Sequence, residues 1–126
     1  MKLRVARHTS KLKEVRIFYM QVLKLNLIGE FIGHDGYDGI FLGSENFDWE
    51  LEFTTNSIPV NTEYNEEDML VIYPTSKVHF TSIIESIKEK QVRLFQPQNP
   101  YWKKNGICIK DPDGYHIVIS SQGLTD

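Results

Sequence analysis

The strongest constraint on this chain is that it carries one pattern twice. His8-Thr9-Ser10-Lys11-Leu12 resembles Pro74-Thr75-Ser76-Lys77-Val78, 66 residues further on. Each fragment stands where a strand-like run gives way to helical periodicity. In the first half Leu3–His8 reads as a strand. Leu12, Val15, Phe18, Tyr19, Val22 and Leu23 then recur at spacings of three and four, as one face of a helix requires. Ser10 is expected to cap that helix through its hydroxyl. Leu25–Phe31, Tyr37–Leu42 and Phe47–Thr54 read as three more strands, the first two joined by Gly33-His34-Asp35-Gly36. The second half repeats the order. Met69–Tyr73 is a strand, Phe80, Ile83, Ile84 and Ile87 mark a helix, and Gln91–Phe95, Gly106–Ile109 and Tyr115–Ser120 follow as strands. Asp111-Pro112-Asp113-Gly114 has the residues of a tight turn between the last two. The expectation is an α+β chain of two tandem βαβββ units. Unit one covers about 1–55, a polar connector about 56–67, and unit two about 68–126.

Composition narrows the class. At 126 residues the two units make one domain, and 40% hydrophobic residues with seven Phe, six Tyr and two Trp suffice for a packed interior. With 14 basic against 17 acidic side chains and a net charge of −3, no basic stripe is offered to a phosphate backbone, so nucleic acid is not the expected partner. The single cysteine, Cys108, rules out an intrachain disulfide and a Cys-rich zinc site, which suits a reducing cytosol. MKLRVARHTS lacks the apolar stretch of roughly 7–15 residues that a signal peptide needs. No run approaches the roughly 20 apolar residues of a membrane span. A cytoplasmic protein with no membrane partner is expected.

Several segments together resemble the vicinal oxygen chelate superfamily, the group of glyoxalases, bleomycin-resistance proteins and extradiol dioxygenases. They are the Phe18-Tyr19…Val22-Leu23 helix, the Leu51-Glu52-Phe53-Thr54 strand and the Asp111-Pro112-Asp113-Gly114-Tyr115 turn. His34-Asp35-Gly36-Tyr37-Asp38-Gly39 and Asn99-Pro100-Tyr101-Trp102 are similar to an uncharacterised bacterial subgroup of it. The resemblance implies a glyoxalase-like fold, with two half-barrels lining a cavity, a small organic molecule as partner, and a homodimer. One departure is Lys24, which stands where the family usually has Gly after the first helix. A left-handed residue there costs Lys about 1 kcal/mol or more.

The resemblance also implies four ligand positions for a divalent metal. They fall on Arg4, Glu52, Asp68 or Leu70, and Val118. A divalent cation needs lone pairs from carboxylate or imidazole. Arg4 is a permanent cation without an acceptor, and Val118 has none either. The usual metal site is therefore expected to be absent, and no cofactor is expected. A divalent metal held by a non-standard set such as His8, Glu52 and His116 is the alternative. Strand parity turns Arg4, Ala6 and His8 the same way as Glu50, Glu52 and Thr54, with Trp49, Leu51 and Phe53 facing the helix. Neighbouring strands could then set Arg4 beside Glu52, leaving a fixed positive charge for an anionic or carbonyl-bearing ligand.

Other side chains have both a functional and a plain reading. Glu52 and His116 are the candidate general bases, while Arg4, His8, His34, Tyr37, Trp102 and Val118 are candidate ligand contacts. His8 and His116 are otherwise polar strand residues, and His34 otherwise serves hairpin geometry. Tyr101 and Trp102 either wall the cavity or pack their own loop. Cys108 reads as a small buried hydrophobe, and His79 as an exposed residue without a role. Asp35 with Asp38, and Asp111 with Asp113, follow turn chemistry rather than a calcium loop. Three functions follow from these residues: a metal-free binding or sequestering protein, a metal-dependent lyase, isomerase or dioxygenase, and a metal-free enzyme using His116 or Glu52 as base.

Overall fold

Period-two alternation decides which residues of each strand reach a helix, and it is clearest in the first unit. The computed structural model describes residues 1–61 and 63–124. Its contacts cluster into two units that divide between residues 62 and 63. Among the described residues, no helix is long and apolar enough to cross a membrane.

Unit one is β1 (Leu3–His8), α1 (Leu12–Gln21), β2 (Asn26–His34), β3 (Tyr37–Gly43) and β4 (Trp49–Thr55). The strands form one sheet in the order β1-β4-β3-β2, with β1 parallel to β4 and the other pairs antiparallel. Leu51 and Phe53 of β4 and Ile40 and Leu42 of β3 are buried on the face that takes α1. Val15 and Tyr19 of α1 are fully buried, and the Tyr19 ring lies 4.9 Å from that of Phe53. The phenol would be costly to bury unpaired, and Arg7 Nη2 donates to its oxygen at 3.0 Å. The alternate residues Arg4, Ala6, His8, Glu50, Glu52, Thr54 and Phe41 turn to the helix-free face.

Two local expectations change. Ser10 does not cap α1: its Oγ accepts from the Val60 amide at 2.8 Å, while the Thr9 hydroxyl accepts from Lys11 N–H at 2.9 Å. The hydroxyl is drawn off because the chain after β4 returns to this junction with unpaired amides to satisfy. Lys24 adopts the left-handed conformation that its side chain disfavours, with φ 62°. Leu25 N–H donates to the Tyr19 carbonyl at 3.0 Å across this bend, so closing the helix end outweighs the strain.

Unit two is β5 (Met69–Ile72), α2 (Lys77–Glu89), α3 (Pro100–Asn105), β6 (Gly106–Lys110) and β7 (His116–Ser120). Its sheet runs β5-β7-β6, parallel then antiparallel. Here Ser76, the counterpart of Ser10, does cap its helix by accepting from His79 N–H. His79 is half-buried rather than exposed, and its Nδ1 accepts from Thr75 N–H at 3.1 Å. Ile109, Ile117 and Ile119 share one buried face, and Ile83 and Ile87 of α2 are buried with them in the core.

The expected strand at Gln91–Phe95 does not form. Only a single bridge, Phe95 to Cys108, survives of it. The chain turns instead into α3, which starts on an Asn99 cap with Pro100 in its first turn. Trp102 of α3 lies against Gly106, where a Cβ would meet the Val118 methyl at 2.7 Å and the Ile119 carbonyl at 3.0 Å. Gln91–Phe95 thus stays irregular apart from that bridge, and the helix forms further on, over Pro100–Asn105.

Two stability outcomes follow. Lys24→Gly should raise unfolding free energy by up to about 1 kcal/mol in denaturant titrations, since it relieves left-handed strain at an exposed site. Gly106→Ala should lower it by about 1–3 kcal/mol, because the added methyl overpacks backbone and Val118.

Candidate functional site

On the helix-free face of unit one, the parallel register sets Arg4 opposite Glu50, Ala6 opposite Glu52 and His8 opposite Thr54. The guanidinium therefore pairs with Glu50 and not with Glu52, one alternation short of the expected partner. Arg4 Nε and Nη2 reach Glu50 Oε1 at 2.7 and 2.6 Å, and Lys2 Nζ lies 3.2 Å from Oε2. Glu50 is only 4% exposed, whereas the Arg4 side chain is 51% exposed. The carboxylate is thus the buried foundation and the cations its outer layer. The Arg4 hydrogen bond holds the Glu50 carboxyl below the usual value of 4.5, against the upward push of burial and with further help from Lys2. The guanidinium also lies over the Phe41 ring, 4.7 Å from its centre. Beside this group is a cavity of about 400 Å³ lined by Lys2, Arg4, Ile28, Phe41, Ser44 and Glu50, with Glu45 also at its wall.

Further along the same strands, His8 is fixed at both nitrogens. Nε2 lies 3.0 Å from Asn56 Oδ1, an oxygen that also accepts from Ile58 N–H, so Nε2 is the donor. Nδ1 then accepts from the Thr54 hydroxyl at 2.8 Å. With its lone pair engaged, His8 can bind a metal only by giving up that bond. The Tyr37 ring stands edge-on to it at 5.8 Å. His34 is at the exposed hairpin tip, 6.1 Å from the Phe31 ring and 3.7 Å from Asp35. Gly33, Asp35 and Gly36 all take positive φ there, so the turn dictates its placement.

Glu52 sits between Ala6 and Phe41 in register and is half-buried. Among the described residues, no hydrogen bond or ion pair engages its carboxylate.

Unit two holds Trp102, His116 and Val118. Val118 is fully buried against Gly106 beneath α3, and His116 is 8% exposed. His116 borders a cavity of about 40 Å³ with Phe95, Cys108 and Lys110. That volume suits water, whereas organic ligands occupy roughly 300–1,000 Å³. Cys108 is buried, and burial pushes its thiol up past the opposing pull of Lys110. Lys110 Nζ rests 4.0 Å over the Phe95 ring.

The donor set does not fit the superfamily's metal. Of its four positions, Arg4 repels a cation, and Leu70 and Val118 carry no lone pair. Asp68, the alternative to Leu70, is exposed ahead of β5. Glu52 alone is a certain donor, and among the described residues no three His, Cys, Asp or Glu side chains converge.

Of the side chains brought together on this face, the sequence singled out Arg4, His8, Tyr37 and Glu52 and passed over Lys2, Phe41 and Asn56. Phe41 was accessible in principle: it alternates with Ile40 and Leu42, which face α1. Lys2, just ahead of β1, continues the alternation of Arg4 and was passed over, while Asn56, just after β4, gave no signal.

Comparison with known proteins adds the relationships. The chain matches the YycE-like N-terminal domain over residues 3–54 and the YycE-like C-terminal domain over residues 67–121. It is 37% identical over 128 residues to YycE of Bacillus subtilis, covering 98% of this chain and 90% of that protein. The crystal structure of a Bacillus subtilis YycE protein superposes with a TM-score of 0.81 at 35% identity, over 98% of this chain and 91% of that one. Glyoxalase I of Leishmania major gives 0.72 at 18% identity, covering 95% and 85%. TnmS3, an antibiotic binding protein from Streptomyces sp. CB03234, gives 0.65 at 18%, covering 95% and 93%. At such identity these last two share the glyoxalase-like fold with this chain and nothing finer.

Protonating Glu50 should cost stability. Its carboxyl is depressed in the folded state, so its contribution is full above pH 4.5 and is lost as pH falls through the lower folded value. Denaturant titrations from about pH 7 to about pH 3 should show wild type losing stability more steeply in acid than Glu50→Gln.

Proposed function

Because this chain belongs to the YycE-like branch of the vicinal oxygen chelate superfamily, we propose that it uses the family fold to bind a small organic molecule without a metal. The site is the helix-free face of unit one. One observation carries the reading: Arg4 is anchored by a buried carboxylate, laid on Phe41, and borders a cavity large enough for such a ligand. An anchored guanidinium loses little freedom on meeting an anionic or carbonyl oxygen, so more of the contact energy is left for affinity. Phe41 and Ile28 offer apolar wall for the rest of the molecule. Passive sequestration needs nothing further. A homodimer in the cytoplasm belongs to the same proposal on the strength of the family resemblance.

TnmS3, named as an antibiotic binding protein, shares the fold, which supports a binding role on this architecture without specifying a ligand. The test uses chelator-treated protein and para-methylbenzoate as an aromatic anion. Amide shifts should concentrate at Lys2, Arg4 and Phe41, with a Kd of roughly a millimolar or tighter. Arg4→Lys keeps a cation on Glu50 but loses the planar fork, and should weaken binding about tenfold. Unchanged affinity in that variant, or metal copurifying at one ion per chain and needed for binding, would overturn the reading.

A further inference from the structure

The charges on this face are not all neutralised, and the remainder has a direction. Glu50 has both oxygens occupied, one by Arg4 and one by Lys2. Two cations over one carboxylate leave that end of the face with one positive charge in excess. Glu45, on the turn beside it, opposes that excess; it is exposed to solvent, as Lys2 and Arg4 are, so screening weakens all three. Two residues along β4, Glu52 shares the face with a half-buried carboxylate that nothing among the described residues engages. At the strand rise, the two glutamates are separated by roughly 7 Å. Phe41 lies between the poles: its ring carries the Arg4 guanidinium, and its backbone is directly opposite Glu52. Ala6 flanks Glu52 on the other side with a side chain too small to cover it, and it is exposed. His8 is held at its two ring nitrogens by Thr54 and Asn56, so neither is directed at Glu52.

Glu52 is a half-buried residue whose carboxylate is not sealed from solvent, so it is open to an ammonium group, with which it would make a charge-assisted hydrogen bond. We infer that the ligand is dipolar, an aromatic or flat apolar body with an anionic group for Arg4 and Lys2 and a protonated amine for Glu52. This rests on the proposed function and gives it a substrate class. It assigns to Glu52 an organic cation in place of a metal ion, for which one carboxylate is enough.

Three related probes separate the possibilities: para-(aminomethyl)benzoate, para-methylbenzoate and benzylamine. The first has both groups at about the required separation, and each of the others has one. Isothermal titration and amide shifts on the full chain should show the dipolar probe binding about tenfold tighter than para-methylbenzoate, as one charge-assisted hydrogen bond would give. In Glu52→Gln, an isosteric change at a half-buried site, the ratio of the two affinities should fall to about one. A ratio of one in wild type, or a tenfold ratio that persists in Glu52→Gln, overturns the inference. The proposed function then still stands if para-methylbenzoate weakens in Arg4→Lys. Benzylamine binding as tightly as the dipolar probe also overturns it, since the anionic pole would then contribute nothing. Failure of every probe to bind this face defeats the inference and the proposed function together.

Discussion

A buried carboxylate on a four-stranded sheet determines much of what surrounds it. Glu50 is removed from water on β4, and an unpaired charge there would be costly enough to disfavour the fold. Its compensation comes from the neighbouring parallel strand, where Lys2 and Arg4 alternate onto the same face. That requirement reinforces the β1–β4 register. A slip of one residue would turn Arg4 toward α1 and set Val5 where the guanidinium belongs, while Leu51 and Phe53 would lose their match on the apolar side. The same pairing lays the guanidinium on Phe41. One electrostatic demand therefore fixes a register, a side-chain conformation and the wall of a cavity.

How far the sequence discloses this depends on range. Alternation and helical spacing are local, and they identified β1, α1, β3, β4, α2 and the turn at Asp111–Gly114 with the faces of Leu51 and Phe53 correctly assigned. Parity also put Arg4, His8, Glu50 and Glu52 on one face. It could not say which carboxylate the guanidinium meets, because that depends on the offset between strands 46 residues apart. The loss of the Gln91–Phe95 strand had the same cause. Its apolar residues read as a strand, but only Phe95 pairs, through one bridge to Cys108 further along the chain. Ser10 and Ser76 show the limit most simply. They occupy equivalent places in pentapeptides that share Thr-Ser-Lys, yet Ser76 caps its helix while Ser10 holds the amide of Val60.

These differences make the two halves unequal. In unit two, α3 and Phe95 spend their large side chains on the sheet face that carries Cys108, Val118 and His116, leaving room for water and little else. In unit one, taken by itself, no described helix covers the corresponding face, where Arg4, Phe41 and Phe31 are the large groups. Duplication supplies two sheets of one kind. The residues added between the second helix and its hairpin decide that one half is filled by its own chain.

The same coupling bears on the positions the resemblance assigns to a metal. Replacing Val118 by a carboxylate and Arg4 by histidine would restore lone pairs at two of the superfamily's positions. Histidine at position 4 would also remove the guanidinium that satisfies Glu50 Oε1, leaving a buried carboxylate with Lys2 alone. A carboxylate at position 118 would enter a fully buried site packed against Gly106 under Trp102, where neither charge nor added volume is tolerated without rearrangement of α3. The absence of donors is therefore not two independent substitutions. It is tied to the Glu50 ion pair in one half and to the seating of α3 in the other, so the interactions that stabilise this chain are the ones that conflict with the ligand set the superfamily resemblance implies.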